Sequence, residues 1–156
     1  MKKKYSILII IIFFIIGFFV INYDSKTFEN KDIKQVQIAG QNINVILALT
    51  EVEHNNGLSG RSELKEGEGM LFIFDQPGKY NFWMKDMSFP IDIIWFTPSE
   101  GGVGEDLKVV YIKKNADPKL YPETYGPDTN SKYVLEVNEG FSDKNNLKVG
   151  DSVVLK

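Results

Sequence analysis

Cysteine is absent from the 156 residues. That excludes disulfides, thiolate nucleophiles and zinc–thiolate sites in one step, and with them a lipid-modified cysteine. Histidine occurs once, as His54. A single imidazole cannot build a clustered metal site, so neither a metal nor a cofactor is expected. Arginine also occurs once, as Arg61, among 18 basic residues. A lone arginine in a lysine-rich chain points to a planar, bidentate donor at that position. The sequence carries no G-x-S-x-G, no H-E-x-x-H and no phosphate-binding loop. No run of basic residues forms a stripe, so nucleic acid is not an expected partner.

Charge is missing altogether from residues 5–21, "YSILIIIIFFIIGFFVI", which follow Lys2, Lys3 and Lys4. As a helix this run is about 25 Å long, close to the hydrocarbon thickness of a bilayer once Asn22 and Tyr23 extend it. The lysines place its start in the cytoplasm and the rest of the chain outside it. The following "FFVINYDSK" offers no small-residue cleavage pattern. The expectation is an uncleaved signal anchor over residues 1–22, a polar linker over 23–34 and one exported domain over 35–156. Secretion after signal cleavage is the alternative. Without the three leading lysines the chain holds 15 basic and 21 acidic residues, a net of −6. Such a domain is repelled by anionic lipid, so the tether and not surface charge would hold it to the membrane.

Beyond residue 34 the hydropathy pattern is mostly that of strands. "INVILALT" sets Ile43, Val45, Leu47 and Leu49 on one face, the period-two pattern of a half-buried strand. "KQVQIAG" alternates before it, with Gly40, Gln41 and Asn42 as the expected turn. Residues 51–56 suit a short helix stopped by Gly57. "GMLFIF", "GKYNFWMK", "IDIIWF", "DLKVVYIKK", "KYVLEVN" and "SVVLK" read as further strands. "SEGGVGED" reads as a hairpin tip, residues 115–130 with their three prolines as a long loop, and "EGFSDKNNL" as a second short helix. The expected fold is mainly β, a β-sandwich or partial barrel with one or two short helices, preceded by one transmembrane helix.

The most unusual segment is "YNFWMKDMSFPIDIIWF", residues 80–96. Alternation sets Tyr80, Phe82 and Met84 against Asn81, Trp83 and Lys85. In the second strand it sets Ile91, Ile93 and Trp95 against Asp92, Ile94 and Phe96, with "DMSF" as the connection. Asp92 lies in an apolar run, where a carboxylate is costly unless paired or hydrogen-bonded. Arg61, Lys85 or loop amides are the expected partners. A structural role for these polar residues is the plainer reading. The functional reading makes Arg61, Trp83, Lys85, Asp86 and Asp92 the candidate ligand-binding residues, since aromatic faces beside charges suit sugars or cations.

Four segments together resemble the uncharacterised family DUF192: "GLSGR" (57–61), "GMLFIF" (69–74), "FWMKDMSFPIDI" (82–93) and "KYVLEVNEGF" (132–141). Their order and spacing agree with the family pattern over about residues 35–156. The resemblance implies a small, mostly β domain, often exported or membrane-anchored, with no established activity. Asp86 stands where the family usually has Asn, Ser59 where Met is common, and His54 and Asn56 where arginines are frequent. The matching arginine is Arg61, expected to pair with Asp92 or Glu136.

Three readings of function follow. The preferred one is a membrane-tethered binding or accessory module of the cell envelope, recognising an envelope polymer, a small polar ligand or a membrane protein. The second is an envelope hydrolase or lyase using Asp92 or Asp86 with Lys85, which needs shifted pKa values in a concave pocket. The third is a structural or assembly component.

Overall fold

The computed structural model describes residues 32–99 and 106–156. The expected transmembrane segment and most of the expected hairpin tip lie outside the described residues. Among these, no helix is long and apolar enough to cross a membrane.

The chain forms β1 (Gln35–Ile38), β2 (Gln41–Ala48), α1 (Glu51–Asn56), β3 (Glu68–Gly78), β4 (Phe82–Trp83), β5 (Ile91–Pro98), β6 (Leu107–Ala116), a 3-10 turn (Pro118–Leu120), β7 (Thr124–Tyr125), β8 (Ser131–Asn138), α2 (Phe141–Lys144) and β9 (Ser152–Leu155). Seven strands close into a barrel in the order β1-β2-β3-β8-β5-β6-β9. β9 pairs antiparallel with β1, so the sheet has no free edge at this seam. The barrel is closed where the sequence left a sandwich or a partial barrel open.

The β1–β2 turn is tighter than expected. It is made by Ala39 and Gly40, both with positive φ, at 48° and 74°. Two successive left-handed residues match the twist of a hairpin, and Gln41 and Asn42 are already in β2. β2 and β3 run parallel, a pairing that a tight turn cannot make. Their connection, residues 49–67, therefore crosses outside the barrel and carries α1.

A capping box starts α1. Thr50 Oγ1 accepts from Glu53 N, and Glu53 Oε2 accepts from the Thr50 and Leu49 N–H groups. These backbone bonds, the one from Leu49 first, lower the Glu53 pKa below its ordinary value. Gly57 ends the helix at φ 48° and ψ −132°, a backbone conformation that suits glycine.

Strands β3, β5 and β8 are buried on both faces, which is why they read as near-continuous apolar runs. One face fills the barrel with Leu71, Ile73, Ile94, Phe96, Leu135 and Val137. The other carries Met70, Phe72, Ile91, Ile93, Trp95 and Val134, covered by Leu58, Leu64, Met84 and Tyr125 from the connecting segments. Trp95 is fully buried and its indole N–H donates to Tyr80 O at 2.9 Å.

The segment at 80–96 is not a hairpin. β4 has only two residues and pairs with β7, Phe82 opposite Tyr125 and Trp83 opposite Thr124. The expected alternation is kept: Met84 is buried, while Asn81, Trp83 and Lys85 are exposed. Pro90 precedes β5, and β5 pairs with β6 and β8. The β4 segment instead lies across the outer core as part of its cover.

Candidate functional site

Two buried carboxylates lie on adjacent strands. The β5–β8 register sets Asp92 opposite Val137 and Ile93 opposite Glu136. Since successive residues face opposite ways, Asp92 points to the barrel side and Glu136 to the outer core.

Asp92 is fully buried and hydrogen-bonded. Oδ1 accepts from Asn115 N at 2.9 Å and Gly140 N at 3.3 Å, and Oδ2 accepts from Ser142 N at 2.8 Å. A bulge makes this possible. Between Ile91 and Ile93 the β5–β6 register jumps from Ala116 to Lys113, and Asn115 adopts a positive φ of 48°, turning its N–H toward the carboxylate. Asp92 thereby ties β5 to the bulge in β6 and to the start of α2. The expected Arg61 partner is replaced by backbone amides, because Asp92 faces the barrel end and Arg61 lies on the exposed crossover.

Glu136 is the opposite case. It is 4% exposed, and its Oε2 has no hydrogen-bond partner among the described residues. Burial alone raises its pKa to about 8, so the carboxyl is mostly protonated near neutral pH. On its own face β3 contributes Met70 and Phe72, and β5 contributes Ile93 and Trp95. The expected Arg61–Glu136 salt bridge is absent among the described residues. Arg61 is exposed and places its backbone N–H on Leu58 O.

Glu136 lines a cavity of about 160 Å³, roughly the liquid volume of five waters. Its wall is aromatic: Phe72, Phe74, Tyr80, Phe82 and Trp83. Phe74 stacks on Tyr80 at 3.5 Å, and Phe82 stands edge-on to Phe72 at 4.8 Å and to Trp95 at 5.6 Å. The polar part comes from the crossover, with His54, Asn55, Asn56 and Ser59, and from Asn81. His54 donates from Nε2 to Ala48 O at 3.0 Å and packs on Phe74. That bond fixes the ring tautomer and keeps His54 at the rim.

Gly57 lets the crossover approach the acid. A Cβ there would meet Phe72 Cζ at 3.3 Å and Glu136 Oε2 at 3.8 Å. The turn after it is pinned to the β4 segment: Ser59 Oγ donates to Lys85 O at 2.7 Å, and Gly60 N donates to Asp86 O at 2.9 Å. Asp86 has a φ of 54°, the left-handed region that Asn and Asp tolerate. Backbone geometry thus accounts for a short polar side chain at position 86.

Of the five candidate residues, Trp83 alone lines this cavity. Lys85 and Asp86 contribute backbone carbonyls just outside it, Arg61 projects from the neighbouring turn, and Asp92 lies on the opposite face of the sheet. Glu136 was legible only as a charge in "YVLEV". Simple alternation directs Val134, Glu136 and Asn138 to one face, which a half-solvated sheet would expose; the cover formed by residues 57–64 and 82–89 buries it.

The fold is similar to that of solved proteins. A protein of unknown function from Novosphingobium aromaticivorans is 30% identical with a TM-score of 0.69, over 78% of this chain and 84% of the other. A putative transcription regulator from Sinorhizobium meliloti gives a TM-score of 0.67 at 23% identity, over 78% of this chain and 90% of the other; at that identity the likeness concerns the fold alone. No curated protein matches. The family model DUF192, "Uncharacterized ACR", matches residues 34–155, and the chain belongs to that family.

Proposed function

We propose that the protein is a small-ligand-binding module, tethered to the membrane by residues 5–21 and exposing its barrel outside the cytoplasm. The observation that carries the binding reading is the unpartnered, buried Glu136 carboxyl in a cavity walled by five aromatic rings. A buried polar atom without a partner costs about 1–3 kcal/mol, and a ligand that bonds to it recovers part of that cost. The tether reading rests on the uncharged run behind three lysines. A catalytic reading has less support. Asp92 is occupied by three amides, and glycoside hydrolysis generally needs a pair of carboxyl groups flanking one bond, whereas Glu136 is the only carboxyl among the described residues that line the cavity.

The test is a thermal-shift screen of the full chain in detergent against sugars, peptidoglycan fragments, small anions and small amines, with Trp83→Ala alongside. A ligand at 100 times its dissociation constant adds about 2.7 kcal/mol. A stabilisation lost in Trp83→Ala supports the reading; no stabilisation by any compound rejects it.

A further inference from the structure

We infer that the ligand of this cavity is a small organic ammonium ion, held by Glu136 as its counter-ion and by the aromatic rings of the lining. The inference rests on the cavity being a ligand site and adds the class of ligand.

Three features of the lining carry it. The first is charge. Among the described residues no lysine or arginine lines the cavity, so none of them competes with a cation for Glu136. The second is the shape of the acid's surroundings. Oε2 is buried without a partner, while β3 and β5 pack on Glu136 with Met70, Phe72, Ile93 and Trp95. None of these can ionise, so a charge arriving through the cavity would be the carboxylate's first counter-charge. The third is the wall. Aromatic faces attract cations most strongly where water is excluded. Anionic ligands meet an acid and no cationic group. A sugar could accept a bond from the protonated acid, but it brings no positive charge for the aromatic rings to attract.

The chemistry is a proton exchange. The empty site holds Glu136 as a neutral acid, because burial raises its pKa to about 8. The arriving ammonium stabilises the carboxylate, and the carboxyl proton leaves to buffer. The other ionisable groups lining the cavity are His54, from α1, and Tyr80, from the segment before β4. His54 holds the Ala48 carbonyl through Nε2, and Tyr80 donates its hydroxyl to Gln76 O at 2.6 Å.

The experiment is calorimetric titration of the full chain in detergent with choline, with ethanolamine, with the uncharged isostere of choline in which carbon replaces nitrogen, and with glucose. Titrations near pH 7 in two buffers of different protonation enthalpy count the protons released. The expected result is binding of at least one ammonium probe with release of close to one proton. Its affinity rises about tenfold per pH unit up to about pH 8 and then levels. The uncharged isostere does not bind, and Glu136→Gln abolishes both the affinity and its pH dependence. Equal binding of the isostere, or pH dependence retained in a folded Glu136→Gln, which would assign it to His54, overturns the inference. If Glu136→Gln fails to fold, the proton count on the unaltered chain decides alone, and a count of zero overturns it. Glucose binding that is lost in Trp83→Ala, with no ammonium bound, rejects the ammonium ion and keeps the ligand site. No binding by any probe in this or the wider screen rejects both.

Discussion

Asp92 and Glu136 are both acids buried within apolar strands, one register position apart across the β5–β8 pair. Asp92 has three backbone donors; Glu136 Oε2 has none. The first fastens a bulge and a helix start to the barrel. The second is left unsatisfied at the floor of a cavity. What separates them is the side of the sheet: the barrel end supplies loop amides, while the outer core supplies hydrocarbon and aromatic rings. Burial of a charge-bearing side chain therefore says little about its role until its partners are counted.

The comparison is broken most severely by Asp92→Ala. Three N–H groups lose their acceptor, and that of Ser142 is buried; at about 1–3 kcal/mol for a buried unpaired group, plus smaller terms for the two part-buried ones, a total loss of roughly 2–4 kcal/mol is expected in urea unfolding. An unchanged midpoint would show that the amides find water or other acceptors.

Glu136→Gln acts in the opposite direction, through pH. The folded-state pKa, about 8, lies above the ordinary value of 4.5. Between these values the folded state holds a proton that the unfolded state has lost. The unmodified protein should therefore lose stability as pH rises from about 5 to 8, by on the order of a few kcal/mol. Glu136→Gln should flatten that slope and unfold later than the parent at pH 8. Parallel pH profiles of the two proteins would contradict the assignment.

Gly57→Ala sharpens the comparison from the crossover side. The positive φ strains any Cβ, and Phe72 Cζ would stand 3.3 Å away. A loss of about 1–3 kcal/mol is expected, together with weaker binding of any cavity ligand; ligand binding at full strength would place the ligand elsewhere. Trp83→Ala is a smaller change to the fold, since the side chain is 43% exposed. It should abolish ligand-dependent stabilisation with little change in the midpoint of the free protein. Arg61→Ala and Lys85→Ala are the smallest: neither side chain forms an ion pair among the described residues, and both variants should melt with the parent.

Much of the architecture was legible. The 51–56 helix and its glycine stop, the alternation of β2 and the opposed faces of β5 all follow from short-range pattern, which the fold respects. The pairing of β4 was not legible, because "GKYNFWMK" alternates like a strand whether or not it has a neighbour; only the partner β7 decides that two of its residues are paired. The candidate site was read at its rim. Trp83 stands out as an aromatic beside charges, but Arg61, Lys85 and Asp86 lie in the turns that dock the crossover onto the β4 segment, where their backbone groups and not their side-chain charges make the bonds. The need of Asp92 for partners follows from its apolar neighbours, and those partners come from Asn115, Gly140 and Ser142, distant in sequence. Glu136 was hidden because its burial depends on the crossover between parallel strands, which no local window contains.

The parallel β2–β3 pair has a consequence for the order in which this protein comes into being. The crossover that it requires supplies the polar roof of the cavity, and β3 and β4 with their flanks supply all five aromatic wall residues, so both precede residue 90 in the chain. Glu136 arrives with β8, after β5 and β6. During synthesis from the N-terminus, a nascent chain displays every ring of the cavity well before it holds the acid beneath them. The strand that joins β3 to β5 in the barrel is also the strand that delivers the one carboxyl group among the described lining residues.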